Sequence, residues 1–284
     1  MMKNKRQTSY CFAKNLLRLA LLILPILLGV APAFAQRKSP PTKTELAQVT
    51  ERGRRLAEYD VAVWHASDAV MALKPTEDTV ARYLAKKNGT TWIVAFGRLN
   101  EKRDKFLIAY EASQGKSATE FSVKKFESPK EDTGFFLSAA KAIENSLSDF
   151  KGQARPYNVA ALPNDSNQIY VYVVPAQTKE GIFPLGGDAR YLISQDGSQV
   201  IEKRQMHISI IEFSTPPTLQ KAEAGYHTAV LDDIPEDSDV FHVLSRQPLV
   251  PEWIMTKQYV FRIEPDGTIN YLMTTEAFKK MKGN

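Results

Sequence analysis

The sequence predicts an α+β protein in which a long N-terminal helix, a β-meander and a second helix precede a C-terminal domain with a mixed or antiparallel sheet. One observation is an apolar residue at every seventh position between 49 and 70, a spacing typical of one helix face. The other is a series of β-branched and aromatic runs joined by Asn-Gly or Asp-Gly pairs, which favour tight antiparallel hairpins.

Residues 1–35 have the pattern of a signal peptide. A basic start leads into the apolar run "LALLILPILLGV", which is shorter than the roughly 20 residues that cross a bilayer. Ala33 and Ala35 then supply the small residues of a cleavage site. We therefore expect cleavage before Gln36, a periplasmic or secreted protein and no stable membrane anchor after cleavage.

Charge and cysteine content limit the partners of the mature chain. Removing the five basic residues of the leader from the 37 in the chain leaves 32, which equals the number of acidic residues. A chain without net charge gives no electrostatic reason to expect a nucleic-acid partner. The only cysteine, Cys11, lies in the leader, so the mature protein has no thiol nucleophile and no disulfide.

The predicted N-terminal domain spans residues 36–150. Its helix carries an apolar stripe, and Asp60 and Ser67 on that stripe either contact a ligand or hydrogen-bond to a neighbouring strand or loop. Three strand-like runs follow, "TVARYLAKK", "TWIVAFGRL" and "KFLIAYEAS", and then the helical pattern "FFLSAAKAIENSLSDF". The stripe consists of Val49, Leu56, Val63 and Val70, and the second helix face of Phe136, Ala140, Ile143, Leu147 and Phe150.

Turn-forming residues around Lys151 to Pro156 predict a boundary, after which residues 151–284 form a β-rich α+β domain. "IYVYVVPA" is typical of a central strand. "ARYLISQDGSQVIEKRQMHISIIEF" predicts a strand, an Asp-Gly turn and one long strand, and "QYVFRIEPDGTINYLM" predicts another hairpin. A short helix is expected at "VFHVLSRQ".

The stretch "AGYHTAVLDDIPEDSDVFHV" gathers the candidate metal ligands His227 and Asp239. His207 and His242 are candidates for a third ligand, because zinc sites need at least three protein ligands. In the alternative interpretation, His227 hydrogen-bonds to Asp239 or the backbone, and the acidic residues occupy the first turn of a helix opened by Asp233 or Pro235.

Between residues 168 and 275 the sequence resembles the JAMM (MPN-type) metalloisopeptidases. The resemblance rests on Gly225, His227, Thr228, Pro235 and Asp239, with Glu180 upstream. In that family two histidines and an aspartate hold zinc, and a glutamate takes the proton of the zinc-bound water. The resemblance implies Glu180 as the base, and Glu212 is a second candidate. The chain departs from the pattern at the second histidine, the proline and the serine, where it has Ala229, Val230 and Glu236.

These observations favour an exported protein of the bacterial cell envelope that acts as a non-catalytic binding or interaction module for an unknown envelope protein or ligand. A JAMM-like zinc-dependent hydrolase and an envelope or secretion assembly factor are the alternatives. Because the motif guarantees only two ligands, the expectation is no stoichiometric zinc and no cofactor, with zinc as the alternative.

Overall fold

The computed structural model describes residue 37 and residues 39–214 and 222–283. The predicted signal peptide and its cleavage site lie outside the described residues. Within the described ranges, no helix has the length and apolar character needed to span a membrane. The architecture is α+β, as predicted.

The first helix, α1 (Lys43–Met71), begins at a capping box in which the Thr42 and Glu45 side chains each accept a backbone N–H of the other residue. All four apolar residues of the predicted stripe are buried. Asp60 is half-buried and, within the described part of the chain, makes no hydrogen bond or ion pair. The expectation that it hydrogen-bonds to a neighbouring strand or loop is therefore wrong.

An antiparallel meander and a second helix follow α1. The meander has four strands rather than the predicted three: β1 (Arg82–Asn88), β2 (Thr91–Leu99), β3 (Phe106–Gln114) and β4 (Phe121–Asp132). Gly89 supplies the positive φ of the β1–β2 turn. On α2 (Phe135–Asp149) the predicted apolar face is buried at Phe136, Ala140 and Ile143, whereas Leu147 is exposed.

The next six strands form a four-stranded antiparallel sheet and a two-stranded arm. The strands are β5 (Tyr157–Pro163), β6 (Ile169–Pro175), β7 (Ile182–Gly186), β8 (Ala189–Ile193), β9 (Val200–Gln205) and β10 (Ile210–Ser214). The sheet order is β5-β6-β8-β9, so β6 is an interior strand as predicted, and β7 pairs with β10. The predicted long strand after the Asp-Gly turn is two strands, because the chain leaves the sheet between β9 and β10.

The last sheet has the order β11-β12-β13-β14, with β11 (Gly225–Thr228), β12 (Glu252–Met255), β13 (Tyr259–Ile263) and β14 (Ile269–Thr274). β11 and β12 are parallel and joined through α3 (Asp237–Ser245), whereas the other pairs are antiparallel. The described chain ends with α4 (Thr275–Lys282). The predicted short helix and the last hairpin are confirmed.

Apolar packing crosses the predicted boundary at residues 151–156. One cluster joins Leu56 and Phe96 to Tyr172, and a second joins Ile108 to Val171. The described residues after the leader belong to one compact unit. The division into residues 36–150 and 151–284 stays a prediction.

Helix α3 is held closely against α1, and a glycine makes this approach feasible. A Cβ atom at Gly53 would overlap the Cβ of Val240 and would come within 2.6 Å of the carbonyl oxygen of Asp237. A third apolar cluster, which includes Val49, Val240 and Phe261, joins both helices to the last sheet. This packing fixes the position of the acidic N-terminus of α3.

Candidate metal centre

The acidic segment before α3 forms a helix entry. Glu236 is the N-cap, and its backbone N–H donates to Asp239 Oδ2 at 2.7 Å. The helix therefore begins after Glu236 and is not opened by Asp233 or Pro235. Asp233 instead accepts hydrogen bonds from the backbone and side chain of Gln258.

Two histidines from different segments converge on the other oxygen of Asp239. The Nε2 atom of His207, in the connection between β9 and β10, lies 3.0 Å from Asp239 Oδ1, and Nε2 of His227, on β11, lies 3.2 Å from the same oxygen. The exposed fractions of the three side chains are 9%, 1% and 0%. All three atoms are buried, and none has a hydrogen bond of acceptable geometry to another described residue.

A buried carboxylate orients each imidazole from the opposite side. His207 Nδ1 lies 2.9 Å from Asp188 Oδ1, and His227 Nδ1 lies 2.9 Å from Glu252 Oε1. Since a carboxylate accepts a hydrogen bond from Nδ1–H, the neutral tautomer of each ring presents its Nε2 lone pair towards Asp239. This carboxylate–histidine pattern is typical of metal ligands.

The ligand spacing suits a small metal ion. The ligand atoms of His207, His227 and Asp239 lie within 4.8 Å of one another. Ligands about 2.0–2.2 Å from zinc in a tetrahedral arrangement are about 3.3–3.6 Å apart. The two separations from Asp239 Oδ1, 3.0 and 3.2 Å, lie slightly below this range. The two imidazole nitrogens lie within 4.8 Å of each other.

His242 has a different role from the one proposed for a third ligand. Its Nε2 lies 3.3 Å from Arg246 Nη1, and its ring packs 4.7 Å from that of Phe213. Burial, and next the charge of Arg246, lower the pKa of His242 to about 3, so the ring stays neutral. The structure brings His207, and not His242, to the pair formed by His227 and Asp239.

Neighbouring carboxylates raise the pKa of both converging histidines above the usual value for histidine. Burial opposes the charge of His227, but Asp239 and Glu252 raise its pKa to about 9. His207 is raised well above its usual pKa against the same burial, by Asp239 and Asp188. Burial would raise the pKa of Asp239, but the two imidazoles outweigh it and hold that pKa below its usual range.

Arginines neutralise the remaining acidic residues at the start of α3. Asp237 is bound by Arg52, Arg190 and the hydroxyl of Tyr172. Arg204 binds Glu236 and Asp232 at 2.6 Å each. These carboxylates are thus committed to ion pairs, which leaves Asp239 as the acidic residue of the segment that faces the histidines.

The two predicted bases lie on the surface. Glu180 is exposed in the turn before β7, and Glu212 is exposed on β10, where its carboxylate lies 3.4 Å from Arg155. Their proposed role stays a prediction. The carboxylates that do contact the histidines, Asp188 and Glu252, were missed by sequence reasoning. Glu252 left a signal, because it alternates with buried Ile254 along β12 and so lies on the buried face of the strand.

Ala229, which stands where the JAMM pattern has its second histidine, is buried in the third apolar cluster. His207 supplies the second imidazole from another part of the chain. Fold and site thus define an α+β protein with a buried cluster of two histidines and one aspartate. No protein-family model, curated protein or solved structure matches this chain. The resemblance to JAMM enzymes therefore stays a prediction from the motif residues.

Proposed function

We propose that this protein binds one divalent transition-metal ion, with zinc as the best fit, through His207, His227 and Asp239. The observation that carries the proposal is the convergence of two buried imidazole nitrogens and one buried carboxylate oxygen. Within the described part of the chain, none of the three has a hydrogen bond of acceptable geometry. Buried polar atoms are normally partnered, so three acceptors around one point that have no partner among the described residues favour a cation-binding site.

Formal charge supports a divalent ion. Asp188, Asp239 and Glu252 contribute three negative charges to the buried cluster, and Arg246 contributes one positive charge. Two further positive charges make the cluster neutral. A divalent cation supplies them when both imidazoles are neutral ligands.

The expectation of no stoichiometric zinc rested on a count of two ligands. His207 raises that count to three, the number that catalytic zinc sites use while one position stays open. Imidazole with carboxylate suits zinc and also ferrous iron, so the ion itself must be measured.

A zinc titration tests the proposal. Purified protein stripped with a chelator is titrated with zinc in competition with a chromophoric chelator, and elemental analysis gives the stoichiometry. We expect one zinc per chain in wild type, loss of stoichiometric binding in His207→Asn and His227→Asn, and unchanged binding in His65→Asn, a control on α1. Wild type that takes up no zinc, iron or other divalent transition metal would overturn the proposal, as would a His207→Asn variant that binds like wild type.

A JAMM-like zinc-dependent hydrolase is the second candidate, and the ligand count favours it because three protein ligands leave a position for water. A bound zinc ion would lower the pKa of that water and polarise a carbonyl group. Assays of the zinc-loaded protein on peptide and isopeptide substrates, with His207→Asn as the inactive control, separate this candidate from a non-catalytic binding module.

Location and partners are proposed from the sequence. The leader supports export to the periplasm or beyond, and a place in the bacterial cell envelope follows from it. A binding module for an envelope protein or ligand, or an assembly factor, fits such a location, and in either case the metal would serve to hold β11, α3 and the β9–β10 connection together.

A further inference from the structure

One face of α3 carries both a candidate ligand and an anchor for a second ligand. Asp239, His242 and Arg246 follow one another at spacings of three and four residues, which places them on the same side of a helix. Asp239 faces the two histidines, and Arg246, two turns later at the C-cap of the helix, reaches Glu252 on β12.

Buried hydrogen bonds connect Arg246 to His227 through the carboxylate of Glu252. Arg246 Nη1 lies 2.5 Å from Glu252 Oε2, and the other oxygen of this glutamate is the one that accepts from His227 Nδ1. Arg246 Nη2 also donates to the carbonyl oxygens of Val250 and Pro251, which precede Glu252 in the chain. The carboxylate is thus held at both oxygens, and its strand entry is held by the same guanidinium.

Gly225 provides the space for the ion pair between Arg246 and Glu252. A Cβ atom at Gly225 would overlap Glu252 Oε2 and would lie 2.6 Å from Arg246 Nη1. Gly225 contributed to the resemblance to JAMM enzymes. In this structure a glycine is required there because the Glu252 carboxylate, which orients His227, occupies the space of a side chain. The carboxylate behind His207 is less constrained. Asp188 uses Oδ1 for the histidine, while its buried Oδ2 has no hydrogen-bond partner among the residues that the structure describes.

We infer that Arg246 and Glu252 are positioning residues that set the metal affinity of the site by fixing His227, and that they contribute more to it than Asp188 does through His207. The inference rests on the proposed metal function. A carboxylate fixed at both oxygens holds an imidazole in one orientation, whereas a carboxylate fixed at one oxygen leaves rotation to its own side chain. Loss of such an orienting partner typically weakens metal binding about 10–100-fold.

The test compares zinc affinities of Glu252→Gln, Asp188→Asn, Arg246→Gln and Arg246→Lys with wild type. Glu252→Gln and Arg246→Gln are expected to bind zinc about 10–100-fold more weakly. Asp188→Asn should lose less, and Arg246→Lys should recover part of the loss because lysine still donates to Glu252. The ligand-field spectrum of the cobalt(II)-substituted protein reports the geometry around the ion, and it should change in Glu252→Gln more than in Asp188→Asn.

Thermal unfolding of each metal-free variant separates a fold defect from a positioning defect. If Glu252→Gln does not fold, the comparison of Arg246→Lys with Arg246→Gln carries the test. Equal zinc affinity in wild type, Glu252→Gln and Arg246→Gln would overturn the inference, and so would a larger loss in Asp188→Asn. Failure of wild type to bind any metal would instead remove the proposed function, so the two failures are distinguishable.

Discussion

Asp60 is a carboxylate on the inner side of α1 that has no hydrogen bond or ion pair within the described residues. Burial raises its pKa to about 6. A carboxyl group whose pKa is raised on folding destabilises the native state when it is ionised, and this cost grows as the pH rises from the unfolded pKa to the folded one. Between about pH 4 and pH 6 the protein should therefore lose stability through this residue.

Replacing Asp60 by Asn should remove that cost, because the amide imitates the neutral acid. We expect Asp60→Asn to raise the free energy of unfolding by about 1–3 kcal/mol at pH 7–8 and to have no effect below about pH 4. Urea denaturation across this pH range measures the difference. Asp68→Asn, an exposed position on the same helix, should follow wild type at every pH. A gain that persists at pH 3.5 would show that charge is not its cause.

Among the helices and strands, the sequence predicted those that have a regular spacing of apolar residues or a characteristic turn. The stripe of α1, the hairpin at Gly89 and the interior strand β6 were found because each has a local pattern. The fourth meander strand, β4, was missed because most of its residues are exposed and its alternation of half-buried and exposed residues ends after Lys124. The division between β9 and β10 was missed because β-branched residues occur on both sides of it. The break itself depends on a hydrogen bond from the Met206 backbone N–H to the Asp188 carbonyl, a contact between distant residues.

The site was predictable only where its residues form a local pattern in the sequence. His227 and Asp239 were found because they are close in the sequence, and His207 was recognised only as one of two candidates for a third ligand. Its selection over His242 depends on Arg246, which engages the His242 ring, and on Asp188, which orients His207. Such contacts join distant segments, so no local spacing encodes them.

The contact between α1 and α3 makes Gly53 a test of how the site is supported. Alanine within a helix is normally favoured over glycine by about 0.5–1 kcal/mol. At this position its Cβ would overlap Val240 and crowd the Asp237 carbonyl. We expect Gly53→Ala to lose about 1–3 kcal/mol of stability and to weaken zinc binding, since α3 must shift with Asp239.

Gly283→Ala is the control for that substitution. Gly283 has right-handed helical backbone angles, and a Cβ atom there would make only ordinary contacts. Its unfolding and zinc affinity should match those of wild type. If Gly53→Ala unfolds at the same denaturant concentration as both, α1 and α3 do not pack as closely as this structure has them.

For the whole molecule, Val63 tests whether the parts of the chain before and after residues 151–156 unfold together. It is buried in the first apolar cluster, whose members include Phe96 before the boundary and Tyr172 after it. An aspartate there would be an unpaired charge in an apolar environment, which costs several kcal/mol and is enough to unfold a domain of ordinary stability.

We expect Val63→Asp to lose helical circular dichroism and zinc binding together, although all three candidate ligands follow residue 151. Val61→Asp, two positions away on the exposed side of α1, is the matched control and should retain both signals. A Val63→Asp protein that keeps wild-type zinc affinity would show that the C-terminal part folds without the first cluster, because the ligands converge only when β11, α3 and the β9–β10 connection are in place.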